Sequence, residues 1–163
     1  MTLIHNTLSF PGNIHKILTP NTISPYLQII EIKNAPLAPH IIINMYMPLH
    51  PEDIALIDTI KDTIETTILA NYAHIIILLG DFNRGINLIG RYNNNEWSQP
   101  TPQDLEWHQF ITSQQLTYNA TSTNYSRQGG EDYTSNSLID GFYIKCPTNQ
   151  PYTSTTITNL LLN

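Results

Sequence analysis

A layered α/β domain is the fold class this sequence predicts, on three observations. Residues 40–47, 51–72 and 74–79 read in succession as a strand, a long amphipathic helix and a second strand, the order that builds a sheet with helices on its face. The second strand is a run of five aliphatic residues, Ile75 to Leu79, that stops abruptly at Gly80-Asp81-Phe82-Asn83. Such a run suits a strand buried on both faces whose polar end opens into a site. At 163 residues the chain has room for one domain with a real core and not for two of ordinary size.

Taken in order, residues 2–5 suggest a short strand, and the turn signal Phe10-Pro11-Gly12-Asn13 precedes a second short apolar piece at 14–18. Beyond Pro20 and Pro25, residues 26–33 alternate in part, with Glu31 and Lys33 on one face of a half-exposed strand. Residues 34–39 hold two prolines and turn the chain into the more buried strand 40–47, which Pro48 and Pro51 stop, so the pair forms a hairpin. The helix over 51–72 is the most periodic in the chain. Pro51 suits its first turn, Glu52 and Asp53 favour its positive end, and Ile54, Ile57, Ile60 or Lys61, Ile64 and Ile68 make one apolar stripe.

Residues 87–100, with asparagines at 93, 94 and 95, are polar and predict an exposed loop. Thr101 then caps a helix that Asp104 answers, running to about Gln115 with Leu105, His108, Phe110 or Ile111, and Leu116 as its buried side. A short strand follows at 117–120 and a loop at 127–136. A strand at 138–145 is interrupted by Asp140-Gly141, and a last strand runs over 155–162. No internal repeat is present.

Composition narrows the function classes. Apolar residues make up 40% and charged residues only 12%, about half the usual share. The net charge is -6 with seven Lys and Arg in all and no basic run, so the electrostatic footprint of an autonomous nucleic-acid binder is missing. A lone cysteine, Cys146, excludes an internal disulfide framework and suits a reducing compartment. No apolar stretch approaches the ~20 residues of a membrane span, and the amino terminus lacks the basic and apolar regions of a secretion signal, which places the chain inside the cell, nuclear or cytoplasmic. Two glycosylation sequons, at Asn119 and Asn124, are what an Asn- and Thr-rich chain produces by chance.

Three acidic or phenolic positions carry the chemistry. Asp81 and Asn83 lie two apart, so on extended backbone both face one ligand while Phe82 turns into the core; the same residues also suit a plain turn. Asp140 is a carboxylate inside an apolar strand, costly unless paired, or else exposed at a bulge. Tyr46 ends a buried strand, and by itself suits a core tyrosine.

Together and in this order these residues resemble the endonuclease/exonuclease/phosphatase family, the fold of deoxyribonuclease I, with the nearest similarity to the endonuclease domains of non-long-terminal-repeat retrotransposons. Asn44-Met45-Tyr46-Met47-Pro48 looks like the family's tyrosine-x-proline strand end, and Gly80-Asp81-Phe82-Asn83 matches its most specific motif. Thr123-Asn124-Tyr125-Ser126 is similar to its threonine and aromatic step, and Ser137-Leu138-Ile139-Asp140 to the strand bearing its late aspartate. The resemblance covers residues 41–162 and implies a four-layer α/β sandwich of the deoxyribonuclease I-like type, Mg2+ as cofactor, DNA as substrate and a reverse transcriptase domain in the parent polyprotein. It implies that Asp81 orients or deprotonates the attacking water, that Asn83 helps bind the scissile phosphate, that Tyr46 donates to a phosphate oxygen, and that Asp140 holds a histidine in its productive tautomer.

Departures accompany the matches. The family's early asparagine and metal-binding glutamate, and its closing Ser-Asp-His motif, have no counterpart here, so the expectation is one partial domain over 1–163, lacking first strands and a final strand. None of the six histidines has metal-ligand spacing or a place from which to serve Asp140. The chain then reads as a fragment of a Mg2+-dependent DNA endonuclease, inactive or weak alone. The alternatives are a phosphatase or lipid phosphodiesterase of the same fold, or a decayed fragment acting at most as a binding module.

Overall fold

The strand, helix, strand core forms as its residue pattern requires. The computed structural model describes residues 14–17, 23, 25–33, 39–49, 53–85, 92–93, 96–97, 99–118, 127–128, 135–137 and 140–147. Strands β1 (Ile14–Ile17), β2 (Leu27–Ile32) and β3 (His40–Tyr46) precede helix α1 (Ile54–Ala70) and strand β4 (Ile75–Asp81). Then come β5 (Tyr92–Asn93), β6 (Glu96–Trp97), helix α2 (Pro102–Ser113), β7 (Thr117–Tyr118), β8 (Arg127–Gln128), β9 (Ser135–Ser137) and β10 (Asp140–Lys145). Among the described residues the main sheet has the order β1-β2-β3-β4-β10-β7, and a smaller one the order β6-β5-β9-β8. β3 and β4 are parallel, as a helical crossover demands, and β2–β3 is the expected antiparallel hairpin.

Both helices pack on one face of the main sheet. Ile60, Ile64 and Ile68 of α1 and Trp107 and Ile111 of α2 meet Ile41, Ile43 and Met45 of β3, Ile76 and Leu78 of β4, and Tyr143 of β10. The opposite face gathers its own apolar group, Ile75, Ile77 and Ile144 with Leu79, Phe142 and Cys146 against them. β4 is thus buried on both sides, which is what its unbroken aliphatic run encodes. Cys146 is a free thiol that burial pushes up from its ordinary pKa. No helix among the described residues is long and apolar enough to cross a membrane.

Several expectations need correction. α1 starts at Ile54 with Asp53 as N-cap at its positive end, Pro51 and Glu52 lie outside the described residues, and Ile54 is 63% exposed instead of joining the stripe. On α2 the buried side is Asp104, Trp107 and Ile111; Leu105 is 44% exposed. The polar segments expected as loops at 87–100 and 127–136 contribute β5, β6, β8 and the start of β9, strands too short for an alternation to show. β10 starts at Asp140 and pairs Asp140 and Gly141 in unbroken register with β4, so no bulge stands at these two residues; residues 138–139 of the expected strand lie outside the described residues. The strands expected at 2–5 and 155–162 lie outside the described residues, as does the motif at 123–126.

Candidate active site

One end of the main sheet carries the three chemically distinctive residues side by side. Tyr46, last in β3, is the register partner of Asp81, last in β4, and Asp81 is in turn the partner of Asp140, first in β10. Neighbouring strands lie about 4.8 Å apart, so the row spans roughly 10 Å. Positions separated in the sequence by 35 and 59 residues thus arrive at one edge because a parallel and an antiparallel pairing happen to end together.

Gly80 makes this convergence possible. Its φ of +136° is strained for any other residue, and a Cβ there would lie 1.9 Å from the Met45 carbonyl oxygen. Its register partner on the other side is also glycine, Gly141. The pairing of β3 and β4 then continues one step past the strands, where the Met47 N–H donates to the Asp81 carbonyl at 2.9 Å.

The loop that follows is held by polar contacts that pattern reasoning did not anticipate. Phe82 turns into the core as expected, fully buried, with its ring 5.5 Å from Trp107 and 5.2 Å from Tyr143. Asn83 does not continue extended: its φ is +49°, and its N–H donates back to Asp81 Oδ1 at 3.0 Å, so Asp81 and Asn83 form a local turn. Asn83 is 2% exposed, and its Nδ2 donates to the Met47 carbonyl at 2.7 Å. Asn83 therefore fastens the exit of β4 to the exit of β3. An Asn amide carries two N–H groups and an acceptor oxygen, so this bond leaves other positions on it.

Two further residues were missed. Arg84 is buried and donates to the Asn83 carbonyl at 2.9 Å and the Pro48 carbonyl at 3.3 Å, a second stitch between the same loops. Asp104, the N3 residue of α2, takes the Gly85 N–H at 2.6 Å on Oδ1 while its Oδ2 takes the Thr101 N–H and hydroxyl. The capping-box pattern was legible as a helix start; that the same carboxylate also holds the Asp81 loop was not. The only hint for Arg84 was a charge directly after the Gly-Asp-Phe-Asn motif.

His40 and His74 stand at the far ends of β3 and β4, about 20 Å from Tyr46 and Asp81 at ~3.3 Å per residue. There His74 Nε2 lies 3.0 Å from Glu31, which also pairs with Lys33 at 3.3 Å. Burial pushes the Glu31 carboxyl up, but the bonds to His74 and Lys33 outweigh it and hold the group below its ordinary range. Burial, aided by repulsion from His74, holds His40 below its ordinary value.

No protein-family profile matches this chain, and no curated protein matches it. Solved structures do. The endonuclease domain of TRAS1, a telomere-specific non-LTR retrotransposon, aligns with a TM-score of 0.57 at 10% identity, over 76% of this chain and 51% of its own. Truncated TDP2 from Caenorhabditis elegans aligns with a TM-score of 0.38 at 17% identity, over 74% and 47%. An endonuclease/exonuclease/phosphatase family protein from Leptotrichia buccalis C-1013-b gives 0.41 at 16% identity, over 74% and 42%. The chain spans about half the length of these structures or less. Its fold is the α/β fold of the endonuclease/exonuclease/phosphatase, deoxyribonuclease I-like type.

Proposed function

We propose that this chain carries the phosphate-binding and water-activating part of a DNA endonuclease site, within a single partial domain of a retrotransposon reverse transcriptase polyprotein. The observation that carries the reading is the row Tyr46, Asp81, Asp140, in register on three adjacent strands. DNA as substrate is carried over from the retrotransposon endonuclease domain that has the same fold, and the substrate panel below tests it against the other phosphodiesters of that fold.

Hydrolysis here begins with a water held by Asp81, which accepts its proton as the oxygen attacks phosphorus. Tyr46, 45% exposed at the strand end, offers a hydroxyl to a non-bridging phosphate oxygen as charge grows on it. Asn83, buried, sets the loop conformation through Met47 and so positions Asp81 beside the phosphate. The water oxygen–phosphorus bond forms, the phosphorus–sugar oxygen bond breaks, and the departing oxygen then requires a proton. In the resemblance Asp140 serves that step through the histidine of a Ser-Asp-His motif this sequence lacks. Losing such a group costs about 100- to 10,000-fold, so turnover by this chain is slow.

Among the described residues no three His, Cys, Asp or Glu side chains gather to hold a metal ion. No step above passes through the Mg2+ that the resemblance implies.

The test is nicking of supercoiled plasmid in Mg2+ and in EDTA, beside abasic duplex, inositol phosphates and sphingomyelin. Slow nicking that Asp81→Asn abolishes and Tyr46→Phe reduces about tenfold or more is the expected result. Loss of that nicking in EDTA shows that it depends on Mg2+. Faster turnover of inositol phosphate or sphingomyelin replaces DNA with those substrates, and DNA binding without cleavage of anything leaves a binding module.

A further inference from the structure

Beside Tyr46, away from Asp81, the sheet holds a groove of about 240 Å³ lined by residues 25–28 and 44–46. Gln28 and Asn44 are direct register partners across β2 and β3, both half-buried, and Asn44 is two positions from Tyr46, hence on the same face of β3. Strand pairing therefore sets two amides next to the phenol that ends the row. Asn44 stands about 7 Å along β3 from Tyr46, and Gln28 one strand spacing, about 5 Å, beyond it on β2, which puts the pair beside a phosphate held at Tyr46. The volume is below the ~300–1,000 Å³ of a pocket enclosing a whole small ligand, and suits one planar fragment.

Amides differ from cations in what they recognise. Asn and Gln match the donor and acceptor edges of a base, whereas phosphates favour Lys and Arg. With a net charge of -6 and seven basic residues, the chain has little means of holding a polyanion by charge, so its hold must come from neutral contacts near the row. Gln28 and Asn44 each interact within the protein already, and the subsite calls on those of an amide's two donors and two lone pairs that these interactions leave.

We propose that this groove is a nucleobase subsite, in which Gln28 and Asn44 hydrogen-bond the edge of the base flanking the phosphate at Tyr46. It rests on the endonuclease reading of the neighbouring row. The probes are a short fluorescein-labelled single-stranded DNA and a sugar–phosphate oligomer of the same length lacking bases, with binding followed by anisotropy over a range of salt. Gln28→Ala and Asn44→Ala each weaken the DNA about tenfold and leave the abasic oligomer and the salt slope unchanged, since no phosphate contact is lost. Gln28→Met keeps side-chain length and gives the same loss with an unchanged unfolding midpoint, which separates recognition from folding.

Equal weakening of both oligomers, no weakening, or no binding of DNA by the unsubstituted chain overturns the subsite. A failure to nick plasmid accompanied by base-dependent binding rejects the catalytic reading alone, and nicking without base-dependent binding rejects the subsite alone.

Discussion

Gly80 is the residue on which the candidate site depends most directly. Its backbone occupies a region of φ that penalises any side chain, and the Met45 carbonyl fills the space a methyl group would need. Gly80→Ala combines a strained backbone, worth about 1–3 kcal/mol, with a contact that only separation of β3 from β4 relieves. A loss of at least ~3 kcal/mol in urea unfolding is expected, and an unchanged midpoint would remove Gly80 from this role. At this scale the sequence left two conformations open at Asp81 and Asn83. Alternation placed Asp81 and Asn83 on one side of an extended strand, but the positive φ of Asn83 turns the chain, and its amide spends one bond on Met47. Local turn chemistry won over strand periodicity because Asp81 can accept the N–H two residues on.

The helices differ in how well their sequences declare them. α1 is rich in Thr and Ile, poor helix formers, and its order comes from packing: Ile60 and Ile64 are fully buried. The buried Thr67 returns its hydroxyl to the Thr63 carbonyl at 2.7 Å, which removes the cost of burying it. Ile64→Ala should cost about 2–5 kcal/mol, whereas Ile54→Ala, on the exposed first turn, should stay within ~0.5 kcal/mol. Comparable losses from the two would show that the helix packs by another face.

α2 has the clearer start and the less legible face. Thr101 and Asp104 form the capping box that their spacing announced. The buried side follows Asp104, Trp107 and Ile111, a carboxylate and an indole between polar neighbours, which an apolar template passes over in favour of Leu105. Asp104→Ala removes the reciprocal half of the capping box, the acceptor for the Thr101 N–H and hydroxyl, together with the acceptor for the Gly85 N–H. A cost of ~2–4 kcal/mol is expected, above the ~1 kcal/mol of a cap alone. Thr101→Ala in the same unfolding series measures the cap alone, and equal values for the two would mean that Gly85 gains nothing from Asp104.

Across the main sheet, the end that carries Tyr46, Asp81 and Asp140 lies opposite one where Glu31, Lys33, His40 and His74 gather. His40 is 6% exposed, and its Nε2 has no hydrogen-bond partner among the described residues. Its folded pKa is lowered, so as pH falls through about 6.5 the unfolded chain takes up a proton that the folded chain refuses. Stability is therefore full above that pH and declines below it, by at most ~1.4 kcal/mol per pH unit from this group. The lowered pKa of Glu31 adds a loss of the same sign below about 4.5. Urea midpoints at pH 7.5, 6.0 and 5.0 should fall in that order, and His40→Gln should flatten the first step; an unchanged slope in that variant assigns the effect to other groups.

By itself the sequence determined the α/β class, the β3–α1–β4 unit, the hairpin before it, the cap of α2 and the identity of Tyr46, Asp81, Asn83 and Asp140 as candidates. These are properties of local spacing, which hydrophobic periodicity and turn residues write into short stretches of chain. Tertiary structure alone decided that Tyr46, Asp81 and Asp140 end level on neighbouring strands, that Arg84 and Asp104 stitch the loop behind them, and that two-residue strands in the polar segments join a second sheet. Register between strands distant in sequence is set by pairings and close backbone approaches, such as that of Gly80 to Met45, that no single stretch contains.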